Sequence, residues 1–481
     1  MSDNSSGKEI TVPPIADELG RVFAGEGYEL HLVGGPVRDA VLRRTVSDLD
    51  FTTDARPEAT EAILRGCCST VWTTGADFGT IGGRFRGEQV EVTTFRADAY
   101  DRVSRNPIVR YGDNLVEDLE RRDFTVNAMA VSLPGHVFCD PFGGIGDIAR
   151  RTIRTPAAPE SSFADDPLRM LRAARFAAQL GFEVDPLTLD AMHRMAPELG
   201  RITAERIRDE FVKLMLAPDP VVGLRLLVDT GLAEQFLPEL PALRMEIDEH
   251  AQHKDVYEHS LQVLRNAIEL ETDGPDLLLR LAALLHDIGK PETKKIEPKG
   301  VGAAGVTFHH HDVAGARLAR RRMRELRFPK ADVQAVSLLI ALHLRFYGYS
   351  DGDETGWTDS AVRRYVTDAG DELERLNVLV RSDCTTRNRR KAERLRRDYD
   401  RFEDRIARLR AEEDLRAVRP DLDGNAIMEL LGLAPGPEVG RAWAHLKELR
   451  LERGPMPREE AEAELRAWAA AEGIAPRPGA G

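Results

Sequence analysis

The chain has 481 residues and a mass of 53.5 kDa, a length that predicts about three compact units. Hydrophobic residues make up 42% of it, and no apolar run approaches the ~20 residues that a bilayer requires, so we expect a cytoplasmic protein without membrane spans. Its four cysteines indicate neither a disulfide framework nor a CxxC zinc site. A net charge of -14 argues against nucleic-acid binding over the whole surface.

Up to about residue 155, short strand patterns alternate with short helical ones, which predicts a small α+β domain. The predicted strands are "YELHLVG", "DLDFTT", "STVWTT", "GTIGGRF" and "EQVEVTTF", the last two joined by an "RGE" turn. The segment "PEATEAILRG" predicts a helix that ends at Gly66. Pro156 and Pro159 mark the junction to the next region.

From Asp165 onward helical periodicity dominates. Helices are predicted in "DPLRMLRAARFAAQLG", "PLTLDAMHRMAPELG", "TAERIRDEFVKLMLA", "VVGLRLLVDTGLAEQFL" and "DVQAVSLLIALHLRF". We therefore expect a disordered start (1–14), an α+β head (15–160), a helical neck (161–250), a helical body (251–385) and a helical tail (386–475).

A glycine turn and a carboxylate pair lie close together in "VGGPVRDAVL" and "SDLDF". Asp48 and Asp50 point to one face if "SDLDF" is a strand, because strand side chains alternate. Such a pair either faces water at a turn or holds Mg²⁺, which prefers oxygen ligands. Gly34 and Gly35 permit close approach of a ligand to the start of a helix, and Arg38 adds a phosphate donor. The combination favours a nucleoside triphosphate site that works with two metal ions.

A third carboxylate, Glu91 in "EVTTFR", stands on an alternating strand and either faces solvent or completes this site. With "RRDFTVNAMA" (121–130) and "DPFGG" (140–144), these motifs resemble the class II tRNA nucleotidyltransferases, which comprise the CCA-adding enzymes and the related bacterial poly(A) polymerases. The resemblance extends to about residue 385 and implies tRNA, CTP and ATP as partners.

The same resemblance implies roles for individual residues. Asp48 and Asp50 would bind Mg²⁺ at the head. The arginines of "RRDFTVNA" would bind the triphosphate, and its Asp and Asn would bind the sugar side of the nucleotide. The spacing predicts a helix that carries the Asp and the Asn on one face and has the arginine pair at its positive end. The residues assigned to the nucleotide are Gly34, Gly35, Arg38, Arg121, Arg122, Asp123 and Asn127.

The family's base-reading motif, Glu-Asp-x-x-Arg, stands here as "DDPLR", with Asp165 in place of the glutamate. Asp166 and Arg169 match the base-contacting positions. Cytosine and adenine both present an amino donor beside a ring-nitrogen acceptor, which a carboxylate and a guanidinium complement, whereas guanine and uracil present the reverse. Arg172 and Arg175 continue the stripe in steps of three, and would face phosphate or position that pair. Without the resemblance, such a stripe is typical of a solvated helix face.

A second series of chemistry-bearing residues lies in the helical body. It consists of His259, His286, Asp287, His311, His343 and Asp383. A lone histidine is usually a core residue, but imidazoles and carboxylates together suit divalent metals. The order resembles the HD superfamily of metal-dependent phosphohydrolases, which implies Ni²⁺, Mn²⁺ or Co²⁺ and a possible hydrolase activity. His309 and His310 compete with His311 for one position, and the acid and glycine that follow favour His311.

The stretch 381–410 carries twelve Lys/Arg against six Asp/Glu, so it is either a salt-bridged solvated face or a tRNA contact.

Other activities of the family are predicted to differ in two segments. Poly(A) polymerases of the family carry a longer segment than the "RGEQV" found here, and enzymes that add CC alone shorten the loop that here reads "RADAYDRVSRNPIVRYGDN". An A-adding enzyme is a further alternative. A phosphohydrolase with a nucleotide-sensing head is the alternative from another class, and the intact Asp48, Asp50, Arg38 and Arg122 argue against it.

Overall fold

A computed structural model gives the fold of this chain. It describes residues 10–45, 49–96, 111–112, 114–245, 255–298, 304–346, 357–385, 388–413 and 419–474. The chain divides into two compact units, where length alone predicted about three: unit 1 is Met1–Pro238 and unit 2 is Glu239–Gly481. None of the helices in the described ranges is long and apolar enough to cross a membrane.

Unit 1 contains a seven-stranded mixed sheet in the order β3-β4-β5-β2-β1-β6-β7. Its strands are β1 Leu30–Val33, β2 Leu49–Thr53, β3 Val71–Trp72, β4 Thr80–Phe85, β5 Glu88–Thr94, β6 Ala130–Leu133 and β7 Phe138–Cys139. β2 and β5 run parallel, and the other neighbouring strands are antiparallel. The predicted α+β head is thereby confirmed.

Eleven α-helices surround and follow this sheet in the described part of unit 1. They are α1 Pro14–Gly25, α2 Gly35–Val41, α3 Pro57–Cys67, α4 Leu115–Glu120, α5 Gly144–Arg150, α6 Pro159–Asp165, α7 Leu168–Leu180, α8 Pro186–Met195, α9 Ala204–Met215, α10 Pro220–Asp229 and α11 Ala233–Phe236. β8 (Thr152–Ile153) and β9 (Glu183–Val184) form a small separate parallel pair.

The two central strands separate a core face from a polar face. Phe51 and Val92 are buried in one apolar cluster with residues of α1 and α3. Because strand side chains alternate, Asp50 and Thr52 of β2 and Glu91 of β5 point to the opposite side. The alternation "LDFT" thus sets a hydrophobic core on one side and a polar site on the other.

The ends of the predicted elements differ from the structure in detail. β4 ends at Phe85 and β5 begins at Glu88, so the predicted turn is a two-residue loop of Arg86 and Gly87, with φ of 51° and 94°. The helix predicted to stop at Gly66 continues to Cys67, because Gly66 has no positive φ to break it. The predicted helix "VVGLRLLVDTGLAEQFL" is two helices, since Gly231 adopts a φ of 77° between α10 and α11.

The helix expected over "RRDFTVNA" is absent. α4 ends at Glu120, so Arg121 and Arg122 follow the negative, carboxyl-terminal end of a helix rather than preceding a positive one. Phe124 is extended and fully buried, and it separates the arginines from a 3-10 turn at Thr125–Asn127. Burial of this aromatic ring overrides the helical spacing.

Unit 2 is mainly helical. Its helices are α12 Val256–Glu269, α13 Leu277–Leu285, α14 Lys290–Thr293, α15 His311–Glu325, α16 Lys330–Leu342, α17 Asp359–Ala369, α18 Leu373–Ser382, α19 Arg389–Glu412, α20 Gly424–Leu431, α21 Pro437–Arg453 and α22 Arg458–Ala471. β10 (Lys295–Pro298) and β11 (Ala304–Thr307) form a hairpin.

α13 occupies the centre of the body. Its sequence "LLLRLAALL" is apolar on nearly every side, as expected of a helix buried all round, and it packs against α12, α16 and α18. Asp276 caps it by accepting from the amides of Leu278 and Leu279. α20, α21 and α22 enclose an apolar cluster of their own around Leu446 and Leu465.

Candidate functional site

Asp50 and Glu91 lie side by side on the polar face of the sheet. They are partners in the register of the parallel strands β2 and β5, so their side chains point the same way. Both line a cleft of about 370 Å³. Asp48, the other predicted metal ligand, lies outside the described residues. Two adjacent carboxylates supply the oxygen ligands that a divalent cation takes.

The glycine turn before α2 admits an arginine. Gly34 has a φ of 73°, and a Cβ at this position would lie 3.3 Å from Nη1 of Arg122. Gly35 begins α2, one residue before the predicted start near Pro36. A side chain at position 34 would press on Arg122 and would adopt an unfavourable positive φ, whereas one at position 35 would make ordinary contact, 3.7 Å from Nη2 of Arg38. Gly34 is therefore the glycine that lets a cation approach the backbone closely.

Arg38 is buried and held by two side chains. Its Nε and Nη2 donate to the two carboxylate oxygens of Asp39, each at 2.9 Å, and its Nη1 donates to Oδ1 of Asn127 at 2.8 Å. The guanidinium also stacks on the Phe176 ring, 5.2 Å from its centroid. Arg38 therefore presents a fixed fork to the cleft rather than a mobile side chain.

Asp118 organises the predicted triphosphate arginines from behind. This carboxylate is 0% exposed and accepts from Arg121 Nη2 at 2.9 Å and Arg122 Nη2 at 3.1 Å. It also accepts from the Arg96 amide and from the Thr52 hydroxyl, each at 3.3 Å. Burial alone would raise the pKa of Asp118, but the two guanidinium groups lower it below the usual range. One buried anion thus ties β2, the segment after β5 and both arginines together.

Asp123 is also turned inward. Its Oδ1 accepts from the Phe124 amide at 2.8 Å and from Nδ2 of Asn127 at 3.0 Å, and its Oδ2 accepts from Nε of Arg172 at 2.8 Å. Burial would raise the pKa of Asp123, but the Arg172 guanidinium and the Asn127 hydrogen bond lower it to about 2. Asp123 and Asn127 therefore meet as predicted, without the helix that was expected to bring them together.

The arginines of α7 all engage unit 1 rather than solvent. Arg169 donates from Nη1 to the Ser162 hydroxyl at 2.8 Å and from Nη2 to the Arg121 carbonyl at 2.5 Å. Arg172 reaches Asp123, and Arg175 is buried, with its Nε 2.6 Å from Oε2 of Glu210 on α9. Arg175 joins α7 to α9 and also lines the cleft that contains Gly34 and Arg38, while Arg169 and Arg172 line the cleft that contains Asp50 and Glu91.

Asp166 caps α7 and also faces the cleft. Its Oδ1 accepts from the Leu168 amide at 3.2 Å, and its Oδ2 accepts from Nη2 of Arg206 on α9 at 2.8 Å. α7 begins one residue later than predicted, at Leu168, and Pro167 precedes it. Asp166 and Arg169 line the same cleft but are each held by another group, which fixes both side chains independently.

Two clefts meet around these residues. The first, of about 370 Å³, contains Glu91, Asp166 and Arg169, and the second, of about 450 Å³, contains Gly34 and Arg38. The residues that line both are Asp50, Arg122, Asp123 and Arg172. The predicted metal, phosphate and base-reading residues that the structure describes therefore converge.

Sequence reasoning missed three residues of this site. Asp118 had a local signal, because it stands three and four residues before the two arginines on a helical pattern. Arg206 and Glu210 had none, since their partners Asp166 and Arg175 lie 40 and 35 residues away. Contacts between α9 and α7 can be read only from the fold.

In unit 2 the predicted histidine series forms one cluster. Oδ2 of Asp287 lies 3.2 Å from Nε2 of His286 and 3.5 Å from Nε2 of His259. Oδ1 of Asp287 lies 3.3 Å from Nε2 of His311, and Oδ1 of Asp383 lies 3.0 Å from Nε2 of His259. The His343 ring centroid is 5.2 Å from that of His286.

One glycine and three helix ends bring these residues together. His286 and His343 end α13 and α16, and His311 begins α15. A Cβ on Gly289 would lie 2.1 Å from the His311 carbonyl oxygen, so the loop after α13 can approach α15 only with glycine there. His309 and His310 are exposed, whereas His311 is buried in the cluster.

Three of the imidazoles carry their proton on the outer nitrogen. Nδ1 of His286, His311 and His343 donates to the carbonyl oxygen three residues earlier, at 2.9, 2.8 and 2.6 Å. A carbonyl can only accept, so Nδ1 is protonated and Nε2 is the nitrogen that points into the cluster, where a metal ion would bind it. Burial would lower the pKa of His286, but the Asp287 carboxylate raises it above its usual range, so a metal ion would displace a proton from this ring.

The electrostatics of the cluster also suit a cation. Nε2 of His343 is buried and has no hydrogen-bond partner among the described residues. Burial and the neighbouring His286 lower the pKa of His343 to about 4, so the ring is neutral at pH 7. Burial would raise the pKa of Asp383, but the hydrogen bond from His259 lowers it to about 2. An unpartnered neutral imidazole beside two ionised carboxylates fits a divalent metal ion.

The basic stretch 381–410 proves to be two different surfaces. In its second part, Arg405 donates to Asp359, Arg408 to Asp359 and Arg410 to Glu374. In its first part, a set of exposed cations has no ion pair to any described carboxylate. This set consists of Arg389, Arg390, Lys391, Arg394, Arg396 and Arg397.

Comparisons with known proteins agree with this geometry. Residues 30–154 match the family model described as "Poly A polymerase head domain", residues 181–243 match "Probable RNA and SrmB- binding site of polymerase A", and residues 256–386 match "HD domain". The chain is 34% identical over 444 residues to the A-adding tRNA nucleotidyltransferase of Deinococcus radiodurans, a match that covers 91% of this chain and 95% of that protein. The chain belongs to the tRNA nucleotidyltransferases.

Other tRNA nucleotidyltransferases match comparably. The CC-adding tRNA nucleotidyltransferase of Thermus thermophilus is 34% identical over 446 residues, covering 91% of this chain and 93% of that one. The CCA-adding enzyme of Lactobacillus johnsonii is 41% identical over 219 residues, but this covers 45% of the chain and 53% of that protein. The solved structure of the Bacillus stearothermophilus CCA-adding enzyme in complex with CTP matches with a TM-score of 0.68 and 25% identity, covering 96% and 99%.

These matches bear on the two sites in different ways. The tRNA nucleotidyltransferase head match includes Gly34 to Asn127, and the HD match includes the whole histidine cluster. Nucleotidyltransferase heads and HD domains generally use divalent metals, and among the described residues the histidine cluster has ligand atoms close enough to hold one. The chain therefore combines a nucleotidyltransferase head with an HD domain.

Proposed function

We propose that this chain adds C, C and A to the 3′ end of tRNA from CTP and ATP, without a template and with release of pyrophosphate. The observation that carries the proposal is the cleft in which Asp50 and Glu91 face Arg122 and Arg172. Paired carboxylates and oriented guanidiniums in one cleft suit the transfer of a nucleotidyl group from a triphosphate.

Binding of the triphosphate falls to groups that are already fixed. Arg38, Arg121 and Arg122 are each held by a carboxylate, so little side-chain entropy is lost when they bind phosphate. The backbone at Gly34 and Gly35 lets the phosphates come close to the chain. Positioning of the α-phosphate for attack by the tRNA 3′ hydroxyl is the main contribution of these residues.

Asp48 and Asp50, with Glu91 beside them, are the proposed Mg²⁺ ligands of the head. When bound there, Mg²⁺ supplies Lewis-acid activation of the hydroxyl and neutralises charge on the triphosphate. The carboxylates of this chain orient the acceptor end of the tRNA against the nucleotide. Magnesium is preferred because all three ligands offer oxygen.

Base choice is assigned to Asp166 and Arg169. The Asp166 carboxylate accepts from the amino group of cytosine or adenine, and Arg169 donates to the adjacent ring nitrogen. Arg206 donates a hydrogen bond to Asp166, and Arg169 donates one to the Ser162 hydroxyl. Both side chains therefore keep the same orientation whether cytosine or adenine is bound. Asp166→Ala should lose the preference for C and A over G and U in single-nucleotide incorporation, and a retained preference would place selection elsewhere.

A second candidate is addition of part of CCA. An A-adding and a CC-adding enzyme each match at 34% identity over more than 90% of both chains, and a CCA-adding enzyme matches in structure over a similar share, so overall similarity does not separate the three activities. The loop used to argue against CC addition lies, for the most part, outside the described residues. Poly(A) synthesis is disfavoured because these relatives act on tRNA by name.

One experiment separates these activities. The protein is incubated with tRNA ending before the CCA, after C, and after CC, and with an unrelated RNA, with CTP and ATP separately and together. Growth of the first tRNA by three nucleotides supports CCA addition. Growth by two with CTP only, or by one on the CC-ended tRNA only, assigns a partial activity, and a long A tract on any RNA overturns the proposal.

For the HD domain we propose a bound transition metal, Ni²⁺, Mn²⁺ or Co²⁺, and a phosphohydrolase activity. The imidazole-rich ligand set supports these metals over Mg²⁺. Phosphatase assays with each metal on wild type and His286→Ala test it, and equal rates would leave the cluster without a hydrolytic role.

For the tail we propose that the unpaired cations at 389–397 contact tRNA, since cations at the positive end of α19 are unfavourable without an anionic partner.

A further inference from the structure

A third cleft lies in unit 2, away from both sites described above. It has a volume of about 490 Å³ and is formed where α15 ends and α16 begins. The residues that line it are Arg320, Arg324, Arg327, Phe328, Lys330, Val333 and Gln334. His311 starts the same helix nine residues before Arg320, so about 13 Å of helix separates this cleft from the histidine cluster.

The charge around this cleft is strongly positive. The stretch 317–330 contains seven Lys/Arg and a single acid, Glu325, in a chain whose net charge is -14. Glu325 is committed to Arg322, whose Nη1 lies 2.7 Å from it. No carboxylate lines the cleft among the described residues. The excess of six positive over negative residues equals that of the stretch 381–410, which is more than twice as long.

Six of the seven cations divide into two groups, and the seventh, Arg327, also lines the cleft. Arg317 pairs with Glu292, and Arg321 and Arg322 pair with Glu239. These three point away from the cleft. By contrast, Arg320, Arg324 and Lys330 line it, are exposed, and have no ion pair to a described carboxylate.

Two of the cleft arginines lie along one side of a helix. Arg320 and Arg324 are four residues apart in α15 and so are neighbours on its surface. Arg327 follows the end of the helix with a φ of 60°, the left-handed conformation that closes many helices, and the Phe328 amide donates to the Met323 carbonyl there. This turn of the backbone places Arg327 at the cleft beside the helical arginines.

The floor of the cleft is apolar. Phe328 is 7% exposed and Val333 is 2% exposed, and both lie beneath the cationic rim. A rim of spaced cations over an apolar floor complements a chain of phosphates joined by sugars. A compact divalent anion would use one or two of these cations and leave the others unpaired.

We propose that this cleft binds the phosphodiester backbone of the tRNA substrate. The choice of tRNA rests on the proposed function. Cations spaced along a helix axis meet charges spaced along a nucleic-acid strand, and each contact releases counterions. The cleft supplies affinity and not sequence recognition, because phosphates carry no base information.

The test compares two double variants of the full-length chain. Arg320→Gln with Arg324→Gln removes two cleft charges. Arg21→Gln with Arg65→Gln removes two exposed charges from α1 and α3, which cover the core face of the sheet in unit 1. Affinity for tRNA is measured by fluorescence anisotropy over a range of salt concentrations, and thermal unfolding monitors folding.

We expect the cleft variant to bind tRNA about tenfold more weakly at 0.1 M salt, with the slope of log affinity against log salt lower by about one to two. Its kcat for CTP and ATP at saturating tRNA should stay at the wild-type level. The control variant should change neither affinity nor slope. Arg320→Lys with Arg324→Lys should restore most of the affinity, which a purely structural role would not predict.

Wild-type affinity and salt slope in the cleft variant would overturn the proposal, as would an equal loss in the control variant. Binding of inorganic tripolyphosphate is measured by calorimetry in parallel. Loss of that binding with unchanged tRNA affinity would show that the cleft takes a small phosphate ligand, and would also overturn the proposal. Failure of the wild-type protein to extend tRNA would instead refute the proposed function.

Discussion

The cleft of unit 1 and the histidine cluster of unit 2 contain similar numbers of buried acids but place them differently. In unit 1, Asp118 and Asp123 lie behind the arginines and neutralise them from the protein side. In unit 2, Asp287 and Asp383 lie at the centre, with imidazole nitrogens around them. The first arrangement presents cations to a ligand, and the second presents lone pairs.

The comparison indicates that the position of the acids, rather than their number, decides whether a site favours an anionic or a cationic ligand. Acids behind guanidiniums orient donors toward an anion such as a triphosphate. Acids among neutral imidazoles attract a metal ion. Asp50 and Glu91 are the exception in unit 1, because they face the cleft and add a cation site beside the anion site.

The largest effect is expected from Asp50→Asn. Loss of the charge that faces the cleft should lower the rate of CMP and AMP transfer to tRNA at least about 10²-fold. CTP affinity should change little, because the arginines remain. Asp54→Asn is the control, since Asp54 follows β2 and accepts from the Glu29 amide. Near wild-type turnover in Asp50→Asn would remove Asp50 from the reacting centre.

His286→Ala should separate the two sites. Loss of one central imidazole should weaken binding of Ni²⁺, Mn²⁺ or Co²⁺ about tenfold or more, measured by metal titration, and should leave nucleotidyl transfer unchanged. His309→Ala, two residues before His311 and exposed, is the matched control. A parallel fall in nucleotidyl transfer would break the comparison, because it would mean that the sites are coupled.

Asp118→Asn tests the role of an acid behind the arginines. We expect kcat/KM to fall about tenfold for CTP and ATP alike, because Arg121 and Arg122 lose their shared partner. The ratio of C to A incorporation should not change, in contrast to Asp166→Ala. Glu413→Gln, which breaks the buried pair with Arg363 in unit 2, controls for lost stability. Equal falls in both variants would make Asp118 structural only.

The smallest effect concerns acid stability. The folded pKa of Asp123, about 2, lies below its ordinary value of 3.8, so its ionisation stabilises the fold above pH 3.8 and this contribution is lost as the pH falls toward 2. Asp123→Asn should therefore reduce the free energy of unfolding by about 2 kcal/mol more at pH 5 than at pH 2. Urea unfolding of both proteins at pH 5 and at pH 2 measures this difference in the free energy of unfolding. A constant difference would contradict a low pKa for Asp123.

Some of this site was readable from local patterns. Strand alternation predicted that Asp48 and Asp50 share a face, and this stays a prediction because Asp48 lies outside the described residues. Glu91, expected either to face solvent or to complete the site, lies beside Asp50 in the sheet. The helix that carries Asp166 and Arg169 was predicted apart from a one-residue shift at its start. These features depend on residues close in sequence, where periodicity carries most of the information.

Other features depend on the fold. The helix expected over "RRDFTVNA" is absent because Phe124 is buried in an extended conformation, which spacing alone does not reveal. The contact of Arg206 with Asp166 spans 40 residues and has no local signal. The histidine series was predicted in order, including His311, which the acid and glycine that follow it favoured over its exposed neighbours. What the sequence did not reveal is the close approach of Gly289 to His311.

The hydrogen bond from Arg169 to the carbonyl oxygen of Arg121 joins α7, the helix proposed to read the base, to the segment proposed to bind the phosphates. A base that displaces Arg169 therefore also disturbs the backbone that carries the arginine pair. The base can therefore be bound correctly only when the phosphates are aligned correctly as well. Mismatched nucleotides should then be rejected through slow turnover as much as through weak binding, so that fidelity persists when every nucleotide is saturating.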